Sequence, residues 1–85
     1  MRLELKRPLV VFDLETTGLN IATDRIVEFS YLKVFPNGSS ESKTMRINPE
    51  CHIPEITSRV HGIYDEDVHN CPVFAQVATD IVRVF

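Results

Sequence analysis

The chain has 85 residues, a mass of 9.7 kDa, 44% hydrophobic and 25% charged residues, which excludes two domains and wholesale disorder and fits one small domain or a part of a larger one. No apolar run is long enough to cross a bilayer, and the first residues lack the apolar core of a signal peptide, so we expect a cytoplasmic protein with no membrane partner. The 12 acidic residues outnumber the 9 basic ones, for a net charge of -3, so any contact with nucleic-acid phosphate must be local or made through a metal ion.

The first predicted element is a strand over residues 8–15, which are mostly apolar, include β-branched side chains and are too few for a typical helix. Side chains alternate between the two faces of a strand, so Asp13 and Glu15 project from the same face. The strand leads directly into a turn at Gly18, where a backbone without a side chain can approach a ligand closely.

A β-hairpin is predicted next, from a second strand over residues 25–35 and a third strand over residues 42–47. Residues 35–38 between them read Phe-Pro-Asn-Gly, in which proline presets the first corner and Asn-Gly tolerates positive φ. A turn this short joins antiparallel strands. Asn48 and Pro49 then end the third strand.

Two helices are predicted in the second half of the chain, a short one within residues 54–62 that ends at Gly62 and a longer one over residues 72–85 with Pro72 in its first turn. The longer helix has one apolar stripe that we expect to be buried. Its members are Phe74, Val77, Ala78, Ile81, Val84 and Phe85. Because the sequence stops in an apolar run rather than in a polar tail, we expect the chain to be the front part of a longer protein.

The carboxylate pair Asp13 and Glu15 carries the strongest chemical signal. Two like charges side by side repel each other, and burying either one costs several kcal/mol or forces it to take up a proton. A divalent cation removes both costs, and hard carboxylate oxygens suit Mg²⁺ or Mn²⁺. The alternative is that both acids are exposed at a strand end and contact only water. For Glu28, inside the second strand, an ion pair or a sheet-edge position is a better expectation than a third place at the metals, and Arg25 is left open between pairing with Glu28 and reaching phosphate.

Residues 12–19, Phe-Asp-Leu-Glu-Thr-Thr-Gly-Leu, resemble the first motif of the DEDD-type 3'-5' exonucleases. This family includes the proofreading epsilon subunit of bacterial DNA polymerase III, ribonuclease T and oligoribonuclease, and the double threonine is most similar to the epsilon-like branch. The resemblance continues in family order over nearly the whole chain. It takes in residues 25–28, 53–55, 60–63, 65–68 and 72–74.

The resemblance implies an α/β, ribonuclease-H-like fold, of which the chain would supply the N-terminal portion, a three-stranded antiparallel sheet with helices. It also implies that Asp13 and Glu15 are catalytic residues that bind two Mg²⁺ or Mn²⁺ ions. The implied activity is removal of nucleotides from the 3' end of single-stranded DNA, with DNA polymerase subunits as partners. An RNA 3' exonuclease of the same superfamily is the alternative.

The resemblance further implies substrate contacts around the terminal nucleotide. Thr16 and Thr17 would lie beside its ribose, Gly18 would let the backbone come close, Leu19 would wedge against its base, and His61 would contact it as well. Each position has a structural alternative: the threonines cap a turn, the leucine belongs to the core and the histidine is a surface residue before a helix stop.

The second and third motifs of the family, which supply two further aspartates and a general base, have no match in the chain. We therefore expect residues 1–85 to be the N-terminal part of a single exonuclease domain, inactive or nearly so alone and prone to self-association through uncovered faces. Two other classes stay open. One is a non-catalytic nucleic-acid or protein interaction module, and the other is a small zinc protein that uses Cys51, His52, His69 and Cys71.

Overall fold

The computed structural model describes residues 5–20 and 24–85, which form an antiparallel sheet followed by three helices. The strands pair in the order β1-β2-β3, so that β2 is the central strand. The strands are β1 (Leu9–Thr16), β2 (Ile26–Val34) and β3 (Ser40–Arg46), and the helices are α1 (Glu55–His61), α2 (Asp65–Val68) and α3 (Phe74–Val84).

The predicted hairpin is confirmed. The Gly38 N–H donates to the Phe35 carbonyl at 2.9 Å, and Gly38 has a φ of 88°, the left-handed region that glycine enters without a Cβ penalty. The side chain of Asn37 accepts the Ser39 N–H at 2.9 Å and holds the same turn. The three predicted strands therefore exist within one or two residues of their predicted limits.

The main core cluster lies where the sheet meets the helical half of the chain. Four buried side chains form it: Val27 of β2, Ile53 before α1, Ile63 after α1 and Val68 of α2, with Cys71 packed against them. The burial of these apolar side chains is what fixes α1 and α2 beside the start of β2. The end of α1 is then set by Gly62, whose φ of 77° and N–H bond to the Ser58 carbonyl at 2.7 Å confirm the predicted stop.

The C-terminal end of α3 contacts one face of the sheet. The ring of Phe85 packs edge-on against Phe12 of β1, with ring centroids 5.2 Å apart, and lies 6.2 Å from Phe29 of β2, which is 2% exposed. Of the apolar stripe that was predicted to be buried, Val77 and Val84 are buried, whereas Phe74 and Phe85 are 47% and 65% exposed, so the sheet covers only part of the stripe. The opposite face of the sheet is open, because Val11 is 56% exposed there.

Two helix boundaries differ from the prediction. The last helix begins at Phe74 rather than at Pro72, because the Pro72 carbonyl accepts the Asn48 N–H at 2.9 Å and is held in a short bridge to the end of β3. The Val73 N–H is instead capped by the Gln76 side chain at 3.0 Å. The four-residue helix α2 was not predicted, since a single turn has no periodicity to detect. Within the described ranges, none of the helices combines the length and apolar character that a bilayer crossing requires.

Candidate active site

The two predicted carboxylates lie on the same face of β1. Asp13 pairs with Ser30 of β2 and Glu15 pairs with Glu28, and the register between them is regular. The bulge comes only after Glu15, at the step to Thr16. Because neighbours two apart in a regular strand share a face, Asp13 and Glu15 project together, with Asp13 exposed and Glu15 half-buried.

A third acid, Glu28, stands directly across from Glu15 on the same face of the sheet. Like charges in directly opposed positions destabilise a sheet, and here a cation offsets part of that cost. The Nε of Arg46 on β3 lies 3.3 Å from Oε1 of Glu28, so the ion pair expected for Glu28 is confirmed. Arg25, by contrast, pairs with no acid in the described part of the chain and donates to the Pro49 carbonyl at 2.9 Å.

The donor chemistry of this face fits a hard divalent cation, because Asp13 and Glu15 offer carboxylate oxygens on one side of the strand. Among residues 5–20 and 24–85, no group of three or more His, Cys, Asp or Glu side chains is placed to hold a metal ion. The same observation argues against the zinc alternative. The cysteines and histidines it needs do not gather: His52 pairs with Asp65, and His69 bonds to a backbone carbonyl of its own helical turn.

The Thr-Thr-Gly turn after β1 is held by its own threonines. The Thr16 hydroxyl donates to the Gly18 carbonyl at 2.5 Å. Thr17 is 2% exposed, and its hydroxyl donates to Asp24 at 2.9 Å while accepting the Arg25 N–H at 2.9 Å. The hydroxyl of Thr17 therefore points into the protein, where it supports the turn.

His61, at the end of α1, is bonded through both ring nitrogens. Its Nε2 lies 3.0 Å from the Thr16 carbonyl, and its Nδ1 accepts the Ile63 N–H at 3.1 Å. Since Nδ1 is an acceptor, Nε2 carries the proton and donates it to Thr16. The imidazole thus joins the end of β1 to the loop after α1.

An open cavity of about 430 Å³ lies between the end of β1, the turn and α1. Five of the seven predicted site residues line this cavity. The other two do not: Asp13 lies two residues before Glu15 in β1, and Thr17 is buried. The sequence analysis missed three residues of α1 in its wall, Ile56, Thr57 and Val60. The sequence held only a weak signal for them, the four-residue spacing of Ile56 and Val60 that puts both on one helix face. The lining residues are Leu14, Glu15, Thr16, Gly18, Leu19, Ile56, Thr57, Val60 and His61.

The apolar wall of this cavity is unusually open to solvent. Leu19 is 100% exposed, Val60 84% and Ile56 77%. Covering such side chains with an apolar surface lowers the free energy of the system. The cavity is lined by one acid, Glu15, and by these exposed apolar side chains. This combination suits a ligand that has both a charged and a flat apolar part.

Fold and site together define an α/β protein of the ribonuclease-H-like exonuclease class. The chain superposes on the crystal structure of cell-death related nuclease 4 (CRN-4) with a TM-score of 0.73, 17% identity, and coverage of 91% of this chain and 29% of that one. It superposes on the crystal structure of a full-length 3'-exonuclease with a TM-score of 0.75, 16% identity, and coverage of 99% and 31%. At these identities the likeness establishes the fold, and the predicted fold class is confirmed.

The chain belongs to the exonuclease family, because the family model described as "Exonuclease" (RNase_T) matches residues 10–85. It is 33% identical over 72 residues to the DNA polymerase III subunit epsilon of Treponema pallidum (strain Nichols), covering 85% of this chain and 34% of the relative. It is 30% identical over 73 residues to the DNA polymerase III PolC-type of Caldanaerobacter subterraneus subsp. tengcongensis, covering 86% and 5%. The chain therefore spans about a third of the first relative and about a twentieth of the second, and proteins of this family generally use divalent metal ions.

Proposed function

We propose that the protein to which this chain belongs is a metal-dependent 3'-5' exonuclease that removes nucleotides from the 3' end of DNA, in the manner of a proofreading nuclease. One observation supports this most directly: Asp13 and Glu15 share a face of β1 beside a cavity whose rim is apolar. DNA is preferred to RNA as the substrate because the relatives named above are DNA polymerase III proteins. For the same reason we include DNA polymerase subunits as partners and the cytoplasm as the location.

In this proposal Asp13 and Glu15 hold Mg²⁺ or Mn²⁺, and these ions, when bound, supply charge neutralisation at the phosphate and an activated water. The chain's own contribution is to hold the two carboxylates on one face. Repulsion between them, and between Glu15 and Glu28 across the sheet, is relieved when a cation is present. This arrangement lets an acidic protein bind a polyanion without a basic surface.

The cavity would receive the terminal nucleotide. Its base would rest against the exposed Leu19, and its ribose would lie near Thr16 and the backbone of Gly18. His61 would contact the nucleotide while its Nε2–H donates to the Thr16 carbonyl. Thr17 would take part through the turn that its buried hydroxyl supports.

The 85 residues would be the N-terminal part of one exonuclease domain, with too few ligands to fix the metals alone. The coverage of about a third of the epsilon relative supports this, as does the lack of a third ligand among the described residues. We expect the 85-residue chain by itself to be inactive or nearly so, because two carboxylates hold a metal weakly and the described residues include no identified general base.

A 5'-labelled single-stranded oligonucleotide tests both statements in the presence of Mn²⁺. The full-length parent should give a ladder that shortens from the 3' end, and Asp13→Asn should abolish it. The 85-residue chain should release no more than its own Asp13→Asn variant. A parent that leaves the oligonucleotide intact contradicts the proposed activity, whereas strong Asp13-dependent degradation by the 85-residue chain contradicts only its incompleteness.

Two competing functions predict different results in the degradation assay and in a measurement of Mn²⁺ binding. An RNA exonuclease would degrade an RNA of the same sequence faster than the DNA. A non-catalytic interaction module would degrade neither and would bind Mn²⁺ no better than its Asp13→Asn and Glu15→Gln variants.

A further inference from the structure

The turn that follows β1 is tied at both ends by one carboxylate that the sequence motif does not include. Oδ1 of Asp24 accepts the Thr17 hydroxyl at 2.9 Å, and Oδ2 accepts the Asn20 N–H at 2.6 Å. The Asp24 N–H donates to the Asn20 carbonyl at 2.8 Å. Hydrogen bonds that a hydroxyl and an amide donate to a charged acceptor are stronger than those to a neutral one. Asp24 therefore holds residues 17–20 in a small fixed loop.

Gly18 lies so close to the same carboxylate that a side chain at this position would make the carboxylate shift. A Cβ atom built on Gly18 would be 2.6 Å from Oδ2 of Asp24, well inside van der Waals contact. This close approach is what favours glycine at position 18. A positive φ is not the reason, since Gly18 does not have one. Asp24 and Gly18 are thus a matched pair, in which the absence of a side chain makes room for the carboxylate.

The loop so fixed holds Leu19 in a position that burial cannot explain. Leu19 is 100% exposed, between Gly18, whose backbone is packed on Asp24, and Asn20, whose N–H is bonded to it. An apolar side chain held in water gains nothing until a ligand covers it. A loop ordered in advance also spares the entropy that ordering it during binding would cost.

We propose that Asp24 is a positioning residue for the cavity beside Glu15: by binding both ends of residues 17–20 it fixes Gly18 and Leu19 where they meet the nucleotide. The inference rests on the proposed function, since it assigns to that site the residue that shapes its rim. Asp24 touches neither metal nor substrate in this account. Its effect passes through Gly18 and Leu19.

The test is the affinity of the 85-residue chain for thymidine 5'-monophosphate in Mg²⁺, measured from amide chemical shifts by NMR. Asp24→Asn keeps the size of the side chain but removes its charge, so both hydrogen bonds lose the charged acceptor that strengthens them. We expect about tenfold weaker nucleotide binding, because a loosened loop has to be ordered as the nucleotide binds. Mn²⁺ affinity should stay within about twofold, because Asp13 and Glu15 are fixed by β1 rather than by the loop.

Asp80→Asn is the matched control, since Asp80 is an exposed acid on α3 and the charge change is the same. It should leave nucleotide affinity unchanged. Equal nucleotide affinity in the wild type and Asp24→Asn would overturn the assignment of Asp24 and leave the proposed function standing. Loss of nucleotide and Mn²⁺ binding together, with an unfolded spectrum, would show a general structural role and overturn it as well.

A double-mutant cycle gives a second and independent readout. Gly18→Ala should weaken nucleotide binding in the wild-type background, where its methyl group meets Asp24, and should add little in an Asp24→Ala background, where that clash is gone. Additive effects of the two substitutions would contradict the pairing of Asp24 with Gly18. A wild-type chain that binds no nucleotide at all would overturn this inference, whereas the proposed function of the parent is decided by the oligonucleotide assay.

Discussion

At the scale of single residues, the hydroxyl of Thr17 is the most constrained group near the site. It is both donor and acceptor, to Asp24 and to the Arg25 N–H, inside a side chain that is 2% exposed. The Thr17 N–H also donates to the Arg25 carbonyl at 2.8 Å. One buried residue after β1 is thus tied to Arg25, which lies eight residues further along the chain and directly before β2.

Thr17→Val removes this hydroxyl while keeping the shape of the side chain. We expect a loss of about 1–3 kcal/mol in the free energy of unfolding, because a buried N–H and a carboxylate each lose a partner. Urea denaturation followed by circular dichroism measures it. Thr79→Val, at an exposed position of α3, is the control and should change stability by no more than about 0.5 kcal/mol; similar losses in the two variants would contradict the role assigned to Thr17.

The carboxylate pair could be located from sequence, whereas the bonds around it could not. Alternation along a strand is enough to place Asp13 and Glu15 on one face. The burial of Thr17 and the close approach of Asp24 to Gly18 depend on how Asp24 and Arg25 come to lie beside the turn after β1, and no local sequence pattern encodes that contact. The apolar wall of α1 was missed for a related reason, since exposed apolar residues are common and become informative only beside a cavity.

At the scale of elements, one surface contact joins the segment before α1 to the start of α2. Asp65 accepts the Ile53 N–H at 2.8 Å and also pairs with the imidazole of His52. The hydrogen bond from Ile53, and after it the one from His52, lowers the pKa of Asp65 below its ordinary value. The carboxylate form of Asp65 is therefore the form that holds the two segments together.

This contact predicts a pH dependence. Because the pKa of Asp65 is lower in the folded than in the unfolded chain, its stabilisation is present above the unfolded value and is lost as pH falls through the folded one. Asp65→Asn should be less stable than the wild type at pH 5.5, and the gap should close below about pH 4, where aspartate ordinarily takes up a proton. Urea denaturation at a series of pH values measures the gap, with Asp80→Asn as the control; a gap independent of pH would contradict the linkage.

Most elements could be predicted because each has a strong local signal. The Asn-Gly turn predicted the hairpin, and Gly62 predicted the end of α1. The predicted start of α3 was wrong by two residues because Asn48 bridges to Val73 and donates its N–H to the Pro72 carbonyl, which a proline rule for helix starts does not take into account. Tertiary contacts of this kind override local preference.

At the scale of the whole molecule, much of the sheet is uncovered. The radius of gyration is 15.0 Å, against about 12 Å for a compact domain of this length. On the face opposite α3, three aliphatic side chains are more than a third exposed, and β1 is an edge strand of the described sheet. They are Leu9, Val11 and Leu32. Exposed apolar strands with a free edge pair readily with other strands.

We therefore expect the 85-residue chain to self-associate through this face and edge. Val11→Lys places a charge on the exposed face of β1 and should shift the chain toward monomer. Sedimentation velocity over a range of concentrations measures the distribution. Val82→Lys, at a 71% exposed position of α3, is the control and should leave it unchanged; a wild-type chain that stays monomeric at all concentrations would contradict the expectation.

The most direct test is to locate Mn²⁺ on the folded chain by the paramagnetic loss of amide NMR signals. If Asp13 and Glu15 bind the cation together, signals within residues 12–18 and at Glu28 should disappear first, and Asp13→Asn should restore them. Signals of α2, which carries three acids in a row, should persist. Losses centred on α2, or spread evenly over all carboxylates, would contradict the claim that the paired acids of β1 form the metal-binding face.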